Sequence, residues 1–246
     1  MAIEVFNRYE NKYLLDETGF RRIHDRLLEY MELDEYNRKH TFYSISNIYF
    51  DTKDHALIRH SISKPKYKEK LRLRAYGVPE PGAKVYLELK KKVHGLVNKR
   101  RTALRTDEAY DFVRTGVKPE LASYMNKQVL SEIEYFVGRY ALEPKVYLAY
   151  DRIAMFSKES RDLRVTFDCN IRSRRHDLML ESGDHGETLL EDGRWLMEVK
   201  AEKTVPVWLA RLLSEHRMFR TSFSKYGSEY IKMRTGQQPG GERAYA

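Results

Sequence analysis

Residues 66–76 read KYKEKLRLRAY, and the alternation inside that run decides the fold. Side chains two apart on a β-strand share a face, so Lys68, Lys70, Arg72 and Arg74 fall together, opposite Tyr67, Leu71, Leu73 and Ala75. Neighbours on one face stand ~7 Å apart, and at an effective dielectric near 20 two like charges there repel by about 2 kcal/mol before screening. Four cations in a row therefore ask for an anion.

The same pattern recurs outward in both directions. Arg8, Glu10 and Lys12 share a face opposite Tyr9 and Tyr13; Glu88, Lys90 and Lys92 oppose Val85, Leu87, Leu89 and Val93. Further on, Arg164, Thr166, Asp168, Asn170 and Arg172 oppose Leu163, Val165, Phe167 and Ile171, and Glu198 with Lys200 opposes Trp195, Met197 and Val199. With Arg152 added, these faces hold twelve cations against four carboxylates. Any one of them reads equally well as the solvated side of a half-buried strand. Taken together they require neutralisation, and a barrel that turns its charged faces inward supplies a place for it.

Period-two alternation places strands near 4–15, 41–50, 66–76, 85–93, 96–104, 145–156, 163–172 and 195–201, eight in all. Turn signals at GVPEPG (77–82) and His94–Gly95 join neighbours as antiparallel hairpins. Helical spacing appears after Asp16, with Phe20, Ile23, Leu27 and Tyr30 on one face; at 107–114; at 123–140, with Val129, Ile133, Phe136 and Tyr140; after Thr204 and Pro206, read as cap and opening; and at 225–233. The expected fold class is α+β, an eight-stranded antiparallel β-barrel tunnel with a cationic lumen and amphipathic helices outside it. One domain is expected over 1–234, with 235–246 as a disordered tail.

Composition agrees. The chain has 246 residues, 45 Lys and Arg against 36 Asp and Glu, and a net charge of +9, which favours a polyanionic partner. Its single cysteine, Cys169, cannot form an intrachain disulfide and reads as a small buried side chain. No apolar run reaches the ~20 residues that span a bilayer, and the N-terminus lacks a signal-peptide stretch, so a cytoplasmic protein is expected. The eight His show neither HxxxH nor HxH pairing and read as scattered. Nucleic acid is not expected as a partner, because Tyr and Phe mostly fall opposite the cations instead of among them, where bases would stack.

A chain of phosphates suits such a lumen: Arg forks match phosphate oxygens, and Lys supplies a mobile charge. The carboxylates Glu198, Glu10, Glu88 and Asp168 could hold a divalent ion, since Mg²⁺ or Mn²⁺ commonly sits on one or two carboxylates while bridging phosphates. Phosphoryl transfer needs positioning and charge neutralisation more than covalent chemistry. Arg72, Arg74, Arg152 and Arg164 are expected to clamp a triphosphate, with Lys200 in the catalytic set, and Arg8, Lys70 and Lys92 as further substrate contacts.

These residues also carry a family resemblance. RYENKYLL (8–15), KLRLRAYG (70–77), LELKKK (87–92), AYDR (149–152), LRVTFD (163–168), MEVK (197–200) and SFSKY (222–226) resemble, in order, the motifs of the vacuolar transporter chaperone (VTC) polyphosphate polymerase domain, within the triphosphate tunnel metalloenzymes. The resemblance implies transfer of the terminal phosphoryl group of ATP to a polyphosphate chain, with Mn²⁺ or Mg²⁺ bound. It also implies that Lys12, Arg72, Arg74, Lys90, Arg152, Arg164 and Lys225 are phosphate ligands, Ser224 an aid to Lys225, and Glu198 the principal metal ligand. Where polymerases of the family tend to have a Lys, three residues before Lys225, this chain has Ser222. Membrane delivery of a product would need a separate membrane-protein partner. A tunnel triphosphatase and a non-catalytic polyphosphate or nucleotide sensor are the alternatives.

Overall fold

The computed structural model describes residues 5–236, with side chains from Tyr9 onward. The side chain of Arg8 and the tail from residue 237 lie outside the described residues. In chain order the elements are β1 (Val5–Leu15), α1 (Glu17–Leu27), β2 (Met31–Leu33), α2 (Glu35–Lys39), β3 (Tyr43–Thr52), α3 (Ala56–Ile62), β4 (Tyr67–Tyr76), β5 (Lys84–Val93) and β6 (Leu96–Arg105). Then come α4 (Thr106–Thr115), α5 (Lys127–Arg139), β7 (Leu142–Ser157), β8 (Arg164–Arg174), a 3-10 turn at Leu180–Ser182, β9 (Glu187–Thr188), β10 (Trp195–Ala201), α6 (Val207–Glu215) and α7 (Lys225–Thr235). The class is α+β, as expected. All eight anticipated strands are present; β2 and β9, three and two residues long, are additions too short for alternation to reveal.

The strand order is β2-β7-β3-β4-β5-β6-β1-β10-β8-β9, with β7 also paired to β8. The strand pairs β3/β4, β4/β5, β5/β6, β1/β10, β8/β10 and β2/β7 are antiparallel. Among the described residues no helix is long and apolar enough to cross a membrane.

Two compact units divide the chain. One contains Ile45–Ala149 and Ser173–Glu187, the other Arg8–Ser44, Tyr150–Arg172 and the chain from Thr188. In the first unit Leu71, Leu73, Val85, Leu87, Leu89 and Leu104, the apolar faces of β4 to β6, pack with Phe112 of α4 and Val129, Ile133 and Phe136 of α5. In the second, Tyr13, Val165, Phe167, Met197 and Val199 pack with Phe20, Ile23 and Leu27 of α1 and Leu209 and Leu212 of α6. Within each unit the apolar strand faces therefore meet helices, which leaves the polar faces on the other side of the sheet.

The helix ends follow local chemistry. Asp16 accepts from Gly19 N at 2.7 Å and starts α1, as its position predicts. Asp51 at the end of β3 accepts from Leu57 N and Ile58 N, both at 2.9 Å, and so fixes the first turn of α3. Tyr30 falls past the end of α1, not on its face. Pro206 is the N-cap of α6 with no side-chain cap bond, so the cap expected from Thr204 is not formed.

Candidate functional site

In the first unit, hydrogen-bond register sets the polar faces of β4, β5 and β6 in rows. Lys70 lies opposite Lys90, and Lys90 opposite Lys99; one step along, Arg72 lies opposite Glu88, and Glu88 opposite Arg101. Like charges directly opposite destabilise a sheet, and Lys99 meets this by turning to Glu88 at 3.3 Å. Beside the row of three Lys, Glu88 is fully buried and gathers three cations: Arg72 at 2.6 Å, Lys99 at 3.3 Å and Arg74 at 3.7 Å. Arg72 donates to one Glu88 oxygen through Nε and Nη2 and to the Tyr49 hydroxyl through Nη1 at 3.0 Å. Arg74 donates to Asn47 Oδ1 at 3.2 Å, and Asn47 in turn donates to the Leu148 carbonyl at 3.1 Å. The two guanidinium groups are thus aimed by β3, β5 and β7 together.

Burial shapes the charges here. Burial would raise the Glu88 carboxyl, but Arg74, Lys99 and Arg72 overcome it and hold the group well below the carboxylate range. Lys99 goes the other way: burial, aided by Arg74, Arg101 and Arg72, outweighs the pull of Glu88 and lowers it to about 7.

The second unit builds its cluster on β1, β10, β8, β7 and α7. Lys12 lies opposite Glu198, and Glu198 opposite Thr166. Glu198 also gathers three cations, Lys200 at 2.6 Å, Lys12 at 3.4 Å and Lys225 at 3.5 Å. Glu10 reaches Lys12 at 3.3 Å, and Lys12 donates to the Phe223 carbonyl at 3.0 Å. Asp168, fully buried, accepts Arg152 bidentately at 2.6 and 2.8 Å and Lys225 at 2.5 Å. The Tyr150 ring lies under both cations, 5.0 Å from the Arg152 guanidinium and 4.3 Å from Lys225 Nζ.

Arg164 stands over the Phe156 ring, donates to the Tyr43 hydroxyl at 3.3 Å and lies 3.7 Å from Asp34. Asn37 of α2 ties this corner to β7, donating to the Arg152 carbonyl at 3.2 Å and accepting from Ala154 N at 2.9 Å. Burial disfavours the charged forms of Lys12 and Lys225, yet their carboxylate partners hold both above the usual lysine value. Glu198 and Asp168 are depressed although burial opposes it, Glu198 chiefly by Lys200 and Lys12, and Asp168 by Arg152 and Lys225. Burial lowers Lys200 to about 8, with Glu198 resisting.

Of the expected site residues, Lys70, Arg72, Arg74, Glu88 and Lys90 lie in the first cluster, and Lys92 one row further along β5, opposite Lys68. Glu10, Lys12, Arg152, Arg164, Asp168, Glu198, Lys200 and Lys225 lie in the second cluster. Ser224 is the N-cap of α7, accepting from Gly227 N at 3.2 Å, and thereby sets the backbone from which Lys225 projects. All four carboxylates have cationic partners and differ in enclosure. The side chains of Glu88 and Asp168 are fully buried on Arg and Lys. Glu198 and Glu10, joined through Lys12, keep 8% and 13% of theirs exposed and are the pair that could hold a hard divalent ion. Buried Thr166 Oγ1, on the residue opposite Glu198, has no hydrogen-bond partner and offers one more hard oxygen.

Sequence reading passed over Lys99 and Arg101, although their spacing on β6 puts them on one face. It also missed the aromatic residues among the cations, Tyr49, Tyr86 and Tyr150, because rings were expected on the opposite faces. Tyr49 and Tyr150 are 8% and 2% exposed, so they support cations and present no stacking platform. Cys169 is buried, and burial beside Asp151 and Asp168 pushes its thiol up to about 12, an inert group.

A profile of the VTC domain matches residues 7–234, nearly the whole chain. The chain belongs to the VTC domain family. Among solved structures, a protein from Bacillus halodurans provisionally described as an adenylate cyclase is similar at 16% identity and a TM-score of 0.55, covering 90% of this chain and 96% of that one. Also similar are a provisionally described adenylyl cyclase from Hippeastrum with a dominant triphosphatase activity, at 14% identity, a TM-score of 0.49 and coverage of 96% and 97%, and the mimivirus capping enzyme triphosphatase, at 9% identity, a TM-score of 0.36 and coverage of 86% and 88%. Comparison with curated proteins gives no match. The α+β fold of this chain, built on an antiparallel sheet, is thus that of the Bacillus halodurans protein, and the two cation clusters sit on its motif-bearing strands.

Proposed function

We propose that this chain is a metal-dependent phosphotransferase, a cytoplasmic enzyme that moves the terminal phosphoryl group of ATP onto the end of a polyphosphate chain. One observation carries the reading: the buried carboxylates Glu88 and Glu198 each gather three basic side chains within 4 Å, and in both clusters basic groups outnumber carboxylates, a surplus that suits a phosphate chain. Arg72 and Arg74 are held in place by Glu88, Tyr49 and Asn47, so they meet phosphate oxygens already oriented. Arg152 and Lys225 are held the same way by Asp168.

In the transfer, the bond from the γ-phosphorus to the bridging oxygen breaks, ADP leaves with that electron pair, and a terminal oxygen of the acceptor forms the new bond. The acceptor oxygen is already anionic, so no general base is needed. Lys12, Lys200 and Arg152 neutralise charge on the transferring group. Glu198 and Glu10 would hold Mg²⁺ or Mn²⁺, which would supply further neutralisation of the phosphate oxygens.

A triphosphatase, with water as acceptor, is the second reading. It uses the same phosphate ligands and differs only in the acceptor; Ser222, exposed at the position where polymerases of the family tend to have Lys, weighs against full polymerase activity. Incubation of the purified protein with ATP and Mn²⁺ or Mg²⁺, following ADP, free phosphate and long-chain product, tests both. Long-chain product matched to ADP supports the polymerase, free phosphate alone supports the triphosphatase, and neither product sinks the enzymatic reading.

A further inference from the structure

The geometry points to a second metal site, apart from the phosphate-binding clusters: His176, Asp177 and His185 bind a zinc-class divalent ion on the segment between β8 and β9. One ligand atom from each of the three residues lies within 4.8 Å of the others, and all three side chains are exposed. A tetrahedral ion at ~2.1 Å from its ligands holds them ~3.4 Å apart, so small rotations of exposed side chains complete the set. Two imidazoles and one carboxylate select zinc over Mg²⁺ or Ca²⁺, which prefer oxygen, and three protein ligands leave a fourth position for water.

The segment that carries these residues is held rigidly by one buried side chain. Arg174, 4% exposed, lies with its guanidinium 3.6 Å from the Tyr147 ring centroid. From there it donates to four carbonyls of the segment: Asp177 at 3.1 and 3.2 Å, Met179 at 3.1 Å, Gly183 at 3.0 Å and His185 at 2.8 Å. These five hydrogen bonds match the five N–H donors of a guanidinium. Two of the four carbonyls belong to ligand residues. Leu180, in the core, anchors the middle of the segment, and its N–H is accepted by the Tyr110 hydroxyl at 2.8 Å.

Backbone conformation adds to the placement. Asp177 has φ 46°, in the left-handed region that Asp tolerates better than most residues, and the rings of His176 and His185 stand 6.2 Å apart, centroid to centroid. Gly183 has φ 90°, and a Cβ there would stand 3.3 Å from His185 Nδ1. The two His stand nine positions apart in sequence, which hides the pair from any short motif. Rigid placement of ligands before the ion arrives is what limits the ordering cost of binding.

The test is calorimetric titration of the full-length protein with Zn²⁺ in excess Mg²⁺, which keeps the tunnel carboxylates supplied with a hard ion, alongside Co²⁺ titration followed by visible absorption. One equivalent of Zn²⁺ is expected to bind, with a Co²⁺ spectrum of mixed nitrogen and oxygen ligation. His176→Ala and His185→Ala are each expected to weaken Zn²⁺ by at least the ~10–100-fold that loss of an outer-shell partner alone costs, while thermal melts and ATP turnover stay as in the parent. Glu198→Gln is expected to leave Zn²⁺ affinity unchanged. Absence of Zn²⁺ binding in the parent, affinity retained by both His variants, or affinity lost in Glu198→Gln would each overturn the site. None of these outcomes depends on which phosphoryl acceptor the enzyme uses.

Discussion

Arg152 and Asp168 face each other from β7 and β8 as a bidentate pair at 2.6 and 2.8 Å, both buried, with Lys225 on the same carboxylate. A pair this deep contributes little net stability, because desolvation offsets the attraction, but removing one partner leaves the other charged and alone. Asp168→Asn is therefore expected to destabilise the fold by about 3–5 kcal/mol. Urea denaturation in the absence of phosphate checks it. Added tripolyphosphate should recover part of the loss, since it supplies the missing negative charge to Arg152 and Lys225; a variant as stable as the parent would remove Asp168 as their anchor.

Arg72 shows what a planar fork does that a point charge cannot. Its bonds to Glu88, through two nitrogens, and to Tyr49 fix the guanidinium plane, and Lys has no equivalent geometry. Arg72→Lys is expected to weaken binding of ATP about 10-fold or more, on the scale of one charge-assisted hydrogen bond of ~1.5–3 kcal/mol. Calorimetric titration measures it, and equal affinity in the two proteins would take Arg72 out of the site.

How far the sequence discloses this protein depends on the element. Alternation located eight strands because each has an apolar face against helices, and it grouped Lys70, Arg72, Arg74 and Glu88 because a shared face follows from spacing alone. It could not show that Glu88 and Asp168 turn to cations, since that depends on which strands become neighbours. Tyr150 was hidden for another reason: an aromatic residue in an apolar run looks like core, and its role beneath Arg152 and Lys225 appears only once β7 and α7 are placed. Asn170 adopts φ 48° within β8, and Asp168 takes Arg152 whereas Arg172 pairs with the adjacent Asp151 at 3.3 Å, so simple alternation does not carry through to Arg172.

Lys99 makes binding depend on pH. Burial lowers its folded-state value to about 7 from 10.5, so between those limits the unfolded chain carries a proton that the folded chain lacks. Stability should therefore rise with pH across that window, relative to Lys99→Met, and the difference should vanish below pH 7 in slope. Urea denaturation of both proteins at several pH values measures this. A phosphate arriving beside Lys99 restores its charge, so at pH 8 binding should take up a proton. Titration in two buffers of different ionisation enthalpy detects that uptake, and its persistence in Lys99→Met would assign it elsewhere.

Glu198 separates metal from phosphate. Its carboxyl is held well below the ordinary range, chiefly by Lys200 and Lys12 against the effect of burial, so it is ionised at neutral pH and available to a divalent ion. In Glu198→Gln, Lys12 and Lys225 keep Glu10 and Asp168 as partners, while Lys200, already lowered to about 8 with Glu198 resisting, needs an arriving phosphate to charge it, so metal-free binding of tripolyphosphate is expected to persist with uptake of a proton. Turnover of ATP with Mn²⁺ is expected to fall by ~100-fold or more, the scale on which loss of transition-state charge stabilisation is felt. Coupled measurement of ADP release and calorimetric binding on one preparation distinguishes the two effects; loss of tripolyphosphate binding together with turnover would mean that Glu198 organises the lysines and does not hold metal.

Ser224 distinguishes a cap from a ligand. Its hydroxyl accepts from Gly227 N at 3.2 Å and opens α7 one residue before Lys225, whose Nζ reaches both Asp168 and Glu198. Loss of an N-cap costs about 1 kcal/mol, and Asp caps as well as Ser, so Ser224→Ala should lower stability by that amount and Ser224→Asp should keep it. Because the hydroxyl acts on Lys225 through the backbone, Ser224→Ala should weaken tripolyphosphate binding only about as much as it loosens the helix start, within ~5-fold, by the same 1 kcal/mol. Denaturation curves and calorimetry on the two variants decide the matter. Parent-like stability in Ser224→Ala with a much larger loss of affinity would place the hydroxyl on the phosphate itself.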